Sequence, residues 1–265
     1  MESCDSMFFI IFDKTKVMGS GAGHIFRLCV ASLGDLFFPR FCLVCGAKLD
    51  IGVRHLCPSC ADDIPLTYFW SWDGNPAEQR LAEAHVEQAC SLFFYRRDGG
   101  YGKLIHRFKY EGDIRLGRQL AGMLAGKMAE ACRAAERKPG TKARFADVDV
   151  VVPIPLHPLK KFRRGFNQSD VIARELASAL GASFEPKLIR RRRFTRTQTR
   201  AADRRSNMAG AFVLNEKALR RLRSAGARHI LLVDDVLTTG STIAAAASVL
   251  PPDFRLAAAT LACVE

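Results

Sequence analysis

The chain has 265 residues, 48% of them hydrophobic and 25% charged, with a formal net charge of +13 at pH 7. That length buries a full core and the composition is that of a globular protein, which excludes a disordered polyelectrolyte and fits one α/β domain plus a small appendage. The positive balance points to polyanionic partners (a pyrophosphate, a nucleotide or a nucleic-acid backbone), with a solvated basic face as the plainer reading of any single arginine.

No apolar run reaches the length that spans a membrane. Residues 7–12, MFFIIF, are too short for the core of a secretion signal, and Glu2 and Asp5 spoil its basic flank, so a cytoplasmic protein is expected. Residues 1–37 read as a tail followed by an amphipathic helix. Translation starts at Met1 or at Met18, and the helical pattern begins near Ile25, with Phe26, Cys29, Val30, Leu33, Leu36 and Phe37 on one face.

Residues 38–64 form a second unit. Cys42 and Cys45 make one C-x-x-C, followed by Gly46, and Cys57 and Cys60 make another. Two such turns present four thiolates to one tetrahedral Zn²⁺, and a glycine after the first pair suits a left-handed knuckle. Disulfides are the alternative, which a reducing compartment disfavours. All four positions being filled, the zinc is structural and leaves no open coordination site. His55 reads as a neighbour of this cluster or a surface residue; the other five cysteines read as small buried apolar residues.

Residues 65–88, broken by Pro65, Gly74, Asn75 and Pro76, read as a linker to a domain over 89–265. Strands are expected at 89–95, 148–152, 183–189, 230–233 and 254–263, and helices at 114–132, 169–180 and 215–224, with Leu104, Ile105 and Phe108 at helical spacing before them. Strands alternating with helices mean a parallel sheet.

The segment 230–242, ILLVDDVLTTGST, is the most informative. Four apolar residues read as a strand buried on both faces. Asp234 and Asp235 then fall at its carboxyl end, where open α/β sheets place ligands. Thr238, Thr239, Gly240, Ser241 and Thr242 supply backbone N–H groups and hydroxyls at a helix start, a place to hold phosphate. Carboxylates that accept from vicinal hydroxyls beside a phosphate cradle suit a sugar phosphate. The segment resembles the phosphoribosyl-pyrophosphate (PRPP) motif of type I phosphoribosyltransferases.

Further candidates lie elsewhere. Arg163 and Arg164 offer forked donors to phosphate oxygens, with Gly165 permitting close backbone approach. Asn167 is read either as a ligand residue or as the cap of the next helix. Lys109 reaches a phosphate or is an ordinary surface lysine. Nine basic residues between Lys187 and Arg205 face one acid, Asp203, and Thr197, Gln198 and Arg204 sit in a segment polar enough to be a flexible loop over substrate. Phe162, Phe166 and Phe194 are stacking faces for single-stranded DNA or else core residues.

Four segments together resemble the ComF family of competence-related, phosphoribosyltransferase-like proteins: the paired C-x-x-C turns after Leu36-Phe37-Phe38-Pro39, IHRFKY at 105–110, VPIPLHPLKKFRRGFNQS at 152–169, and the PRPP-like motif. A fifth, TRTQTRAADRRSN at 195–207, resembles the family's loop signature with a shortened gap, which leaves Arg204 and Arg205 as alternatives for one role. The resemblance implies a type I phosphoribosyltransferase core with an N-terminal zinc region, PRPP bound with Mg²⁺, and a part in competence and DNA uptake, with single-stranded DNA and DNA-uptake proteins as partners. The alternative is an active phosphoribosyltransferase of nucleotide metabolism unrelated to DNA uptake. No segment shows which acceptor it would use.

Overall fold

The computed structural model describes residues 39–96, 99–137, 143–192 and 210–265. The chain divides into two compact units, the first ending at Asp63 and the second running from Ile64 to Glu265.

In the first unit an antiparallel bridge joins Phe41 to Lys48. The reversal between them is closed by Gly46 N–H on Cys42 O at 2.9 Å, and Gly46 has φ +75°, the left-handed geometry that a knuckle glycine supplies without strain. The helix α1 (Pro58–Asp62) follows, with Cys57 at its N-cap and a proline in its first turn.

The second unit is built on a five-stranded, all-parallel sheet. Its strands are β1 (Val86–Tyr95), β2 (Val150–Pro153), β3 (Ser183–Phe184), β6 (His229–Leu237) and β7 (Arg255–Val264), in the order β1-β7-β6-β2-β3. The α/β architecture expected from the alternating pattern is present. Val150–Val152 and Ile230–Val233 are wholly buried, as unbroken apolar runs with helices on the sheet must be. Each such side chain contributes about 1.5–3 kcal/mol of burial.

The helices α2 (Pro76–Leu81), α3 (Gly102–Tyr110), α4 (Ile114–Glu136), α5 (Pro158–Arg164), α6 (Gln168–Leu180), α7 (Glu216–Ser224) and α8 (Ser241–Ala247) complete the unit. In α4, Asp113 caps the start by accepting from Leu116 N–H at 3.1 Å, and Leu116, Leu120, Leu124 and Met128 recur every fourth residue on the buried face. That helix packs on α6, which packs on β2 and β6.

Several elements depart from the sequence reading. The single strand expected over 183–189 is two: β3 joins the main sheet, whereas β4 (Ile189–Arg191) pairs antiparallel with β5 (Phe212–Leu214) in a separate ribbon. Pro186 between them interrupts the run and makes the switch of sheets possible. The polar-looking segment 158–164 is a helix, opened by Pro158 and ended by Gly165 at φ +78°. The stretch 64–88 contains α2 and sits within the second unit. Phe69, Trp70, Asn75, Ala77 and Leu81 are buried there, and Leu66 bridges antiparallel to Phe93 along the free edge of β1. An open sheet edge is thereby covered. The N-terminal helix expected near Ile25 and most of the basic segment, with Thr197, Gln198, Arg204 and Phe194, lie outside the described residues.

Candidate functional site

β6 carries the acid pair further along than the sequence implied. The strand does not stop at Val233 but continues to Leu237, so Asp234 and Asp235 lie within its second half rather than beyond its end. On one side Asp234 pairs with Thr260 of β7. On the other, β2 ends at Pro153, opposite Val233, because proline there and at Pro155 has no N–H to extend the ladder. The acids therefore sit where β6 has lost one neighbour, at the carboxyl end of the sheet.

Three elements converge on them. From α3, Lys109 Nζ stands 2.9 Å from Asp235 Oδ1. From α5, Arg164 Nη1 stands 4.0 Å from Asp235 Oδ2, and its guanidinium also lies over the Tyr110 ring, 4.9 Å from the centroid. From α6, Ser169 Oγ donates to Asp234 Oδ1 at 3.2 Å, and the same oxygen accepts Asp235 N–H at 2.9 Å. Gln168 links the two cationic elements: its Oε1 accepts from Arg164 at 2.9 Å and its amide nitrogen faces Lys109 O at 3.5 Å.

The two carboxyls are electrostatically unlike. Asp235 has both cations. Burial, followed by the charge of Asp235, pushes the Asp234 carboxyl up to about 7, against the opposing pull of Asp235 N–H, Lys109 and Ser169. One carboxyl of the pair thus changes charge near neutral pH. The two cations and two acids form a small cluster that passes from positive to neutral as Asp234 ionises, and Asp234 also lines a recess with Val236, Leu237, Thr238, Gly240, Thr242 and Ile243.

The turn after β6 carries Thr238, Thr239 and Ser241 exposed, with Thr242 half-buried. Thr239 Oγ1 donates to Ser241 Oγ at 3.1 Å and accepts Ser241 N–H at 3.4 Å. Gly240 is buried with φ +80°, and a Cβ there would lie 2.8 Å from Leu81 Cδ2. Only glycine fits this position.

Not every expected residue joins the cluster. Arg164 is turned to the acids, while Arg163 beside it is exposed, as are Lys160, Lys161 and Gly165. Asn167 is buried at the N-cap position of α6 but makes no capping bond; its amide nitrogen donates instead to Ile154 O at 3.2 Å and to Asp170 Oδ1 at 2.9 Å, pinning the loop after β2. Phe166 packs on Phe108 with centroids 5.7 Å apart, whereas Phe162 is 88% exposed. Two site residues were not singled out by sequence. Ser169 hides as an ordinary helix-start serine. Arg191 of β4 was counted only within the basic segment, yet its guanidinium, held over the Phe212 ring at 5.2 Å, feels the charge of Asp234.

In the first unit, the Sγ atoms of Cys42, Cys45, Cys57 and Cys60 all lie within 4.8 Å of one another, and Cys45 Sγ is 3.7 Å from Cys57 Sγ. A tetrahedral metal with Zn–S bonds of about 2.3 Å requires S···S edges of about 3.8 Å. The four donors fit such a metal. Cys60 N–H on Cys57 Sγ at 3.5 Å supplies the amide contact of a thiolate knuckle. His55 is buried, and its carbonyl accepts Leu43 N–H at 2.9 Å, joining the two knuckles. Among the described residues no helix is long and apolar enough to cross a membrane.

No family model matches the chain. Competence protein F of Haemophilus influenzae (strain ATCC 51907 / DSM 11121 / KW20 / Rd) is 30% identical over 212 residues, which is 78% of this chain and 76% of that protein. DNA utilization protein YhgH of Escherichia coli O157:H7 is 33% identical over 230 residues, 83% of this chain and 86% of its own. The YhgH of Escherichia coli (strain K12) is 32% identical over 236 residues, 81% and 92% of the two chains. With the parallel sheet, the acid pair and the four-cysteine cluster in place, these relatives show that the chain belongs to the ComF (competence protein F) family.

Proposed function

We propose that the second unit binds PRPP and that the protein serves competence-type DNA handling, the role carried in the names of its relatives. One observation carries the ligand reading: a hydroxyl-lined turn, two adjacent carboxyls and two cations from separate helices meet at the carboxyl end of one strand. Asp234 and Asp235 suit the ribose hydroxyls. Thr238–Thr242 suit the 5′-phosphate. Lys109 and Arg164 suit the pyrophosphate, with Gly165 and Asn167 on the loop that leads to them. Exposed Arg163 suits a more distant phosphate contact.

Mg²⁺ would arrive with the pyrophosphate, and the acid pair is the oxygen donor set at hand for it. If an acceptor is present, its lone pair would form a bond to ribose C1 as the C1–O bond to pyrophosphate breaks, with the electron pair leaving on that oxygen. Lys109 and Arg164 are placed to take the charge of the departing group. Thr197, Gln198 and Arg204 are proposed to close over the bound ligand.

Single-stranded DNA is a second ligand, favoured by α5, where Phe162 stands out between exposed Lys160, Lys161 and Arg163. A cytoplasmic location belongs to the same proposal, supported by the reading of the four free cysteines as a zinc site and of PRPP as ligand.

Calorimetric titration of PRPP with Mg²⁺ into the wild type and an Asp234→Asn/Asp235→Asn variant tests the reading. Micromolar binding to the wild type alone, about 8 kcal/mol, supports it and opens a screen of acceptors by pyrophosphate release. No binding to either sinks it, and DNA binding is then measured on its own.

A further inference from the structure

The turn that follows β6 is held from outside as well as by its own Thr239–Ser241 bonds. We infer that Arg80 is the residue that sets the shape of the Thr238–Thr242 turn, and hence its grip on a phosphate. The inference rests on the reading of that turn as the holder of the 5′-phosphate.

Arg80 lies in the last turn of α2, 158 residues before the turn in sequence. Its Nη1 donates to Thr238 O at 3.2 Å and to Val264 O, with Cys263 Sγ at 3.4 Å. One guanidinium thus ties the first residue beyond β6 to the last residues of β7. The same residue acts through its backbone: Arg80 O and Leu81 Cδ2 lie 3.3 Å and 2.8 Å from where a Cβ on Gly240 would be. The turn is draped over the carboxyl end of α2.

This helix is a firm support. Asn75, fully buried at its N-cap, accepts from Ala77 and Glu78 N–H and donates to Phe69, Trp72 and Ala89 carbonyls. Glu78 adds a bond from Ala89 N–H at 3.1 Å and pairs with Arg144.

The chemical consequence follows from peptide planarity. In a trans peptide the C=O of one residue and the N–H of the next point in opposite directions. With Thr238 C=O drawn to Arg80, the Thr239 N–H must point away from α2. A donor aimed outward from the turn, with a fixed positive charge behind it, is what a phosphate dianion requires. Arg80 is a positioning residue, because both hydrogens of its Nη1 are spent on the two carbonyls.

Arg80→Met and Arg80→Lys test this with three readouts. The first is amide exchange over peptides spanning 236–246 without ligand. The others are titrations of ribose 5-phosphate and of inorganic pyrophosphate. Arg80→Met is expected to speed exchange in 236–246 about tenfold while helix 114–136 is unchanged. It should weaken ribose 5-phosphate tenfold or more and leave pyrophosphate within twofold, with Arg80→Lys intermediate. Unchanged exchange in 236–246, or equal loss of both anions, overturns the assignment. If the wild type binds neither anion, the phosphate reading falls, while faster exchange in the variant still shows that Arg80 shapes the turn. Should Arg80→Met fail to fold, Arg80→Lys decides: wild-type exchange and wild-type affinity together refute the inference.

Discussion

Lys109 Nζ lies 2.9 Å from Asp235 Oδ1, and both side chains are more than four-fifths buried. The pair joins the end of α3 to β6 across 126 positions of sequence. Without it, Asp235 would keep only Arg164 at 4.0 Å, with a second carboxyl next door. Breaking a buried pair by removing one partner is costly because the other charge stays behind. Lys109→Met should therefore destabilise the second unit by about 1–3 kcal/mol at pH 8. Urea unfolding of the two proteins at that pH measures it, and an unchanged midpoint would mean that the pair contributes nothing to stability.

Asp234 predicts a distinct pH profile. Its folded pKa of about 7 stands above the ordinary value of 3.8. Between those values the native state holds a proton that the unfolded state has released, so stability falls as pH rises from about 4 to about 7 and is level beyond. Asp234→Asn removes that slope. The variant should match the wild type near pH 4 and exceed it at pH 8 by up to about 4 kcal/mol, the full linkage of that shift. A wild-type profile flat across this window would show that Asp234 is ionised throughout.

The cysteine cluster predicts one tightly held zinc per chain. Metal analysis of protein purified without added metal should find it, and Cys60→Ser should lose it. Structural zinc contributes on the order of 10 kcal/mol to the folding of small modules. Exchange protection of residues 39–63 should accordingly collapse with a strong chelator. Full protection of these amides after metal removal would show that hydrogen bonds alone hold the knuckles.

The buried strands at 150–153 and 230–233 were legible because continuous apolar runs announce double burial, and the cysteines because their spacing is itself the geometry. Asp234, Asp235 and the threonine turn were legible as a local motif. What brings Lys109, Arg164, Ser169 and Arg80 to that motif is tertiary, and nothing in their neighbours in sequence encodes it. Asn75 shows the limit best. In a string with glycine, proline and aspartate it reads as a loop residue, yet it is 0% exposed and serves five backbone groups. Turn-forming chemistry and a buried polar hub use the same residue type, and only burial separates them. The ribbon of β4 and β5 was hidden for a different reason: three-residue strands are too short to carry a period.

Gly117 links core packing to the site. It sits in the first half of α4, and a Cβ there would fall 2.2 Å from Phe108 Cε2 and 2.6 Å from two further ring carbons. Phe108 is fully buried and immediately precedes Lys109. The absent side chain of Gly117 is therefore what lets α3 come close enough for Lys109 to meet Asp235. Alanine normally stabilises a helix interior by up to about 1 kcal/mol relative to glycine. Here the overlap with a rigid ring outweighs that gain, and Gly117→Ala should destabilise by about 2–3 kcal/mol. Displacing α3 should also weaken PRPP binding where Lys109 is intact. Phe108→Leu removes the ring and creates room, so the double variant should recover much of the loss caused by Gly117→Ala. A thermodynamic cycle over the four proteins reads this coupling directly. Additive effects would mean that the helix pair yields without moving Lys109, and would separate the packing of α3 from the chemistry at the acid pair.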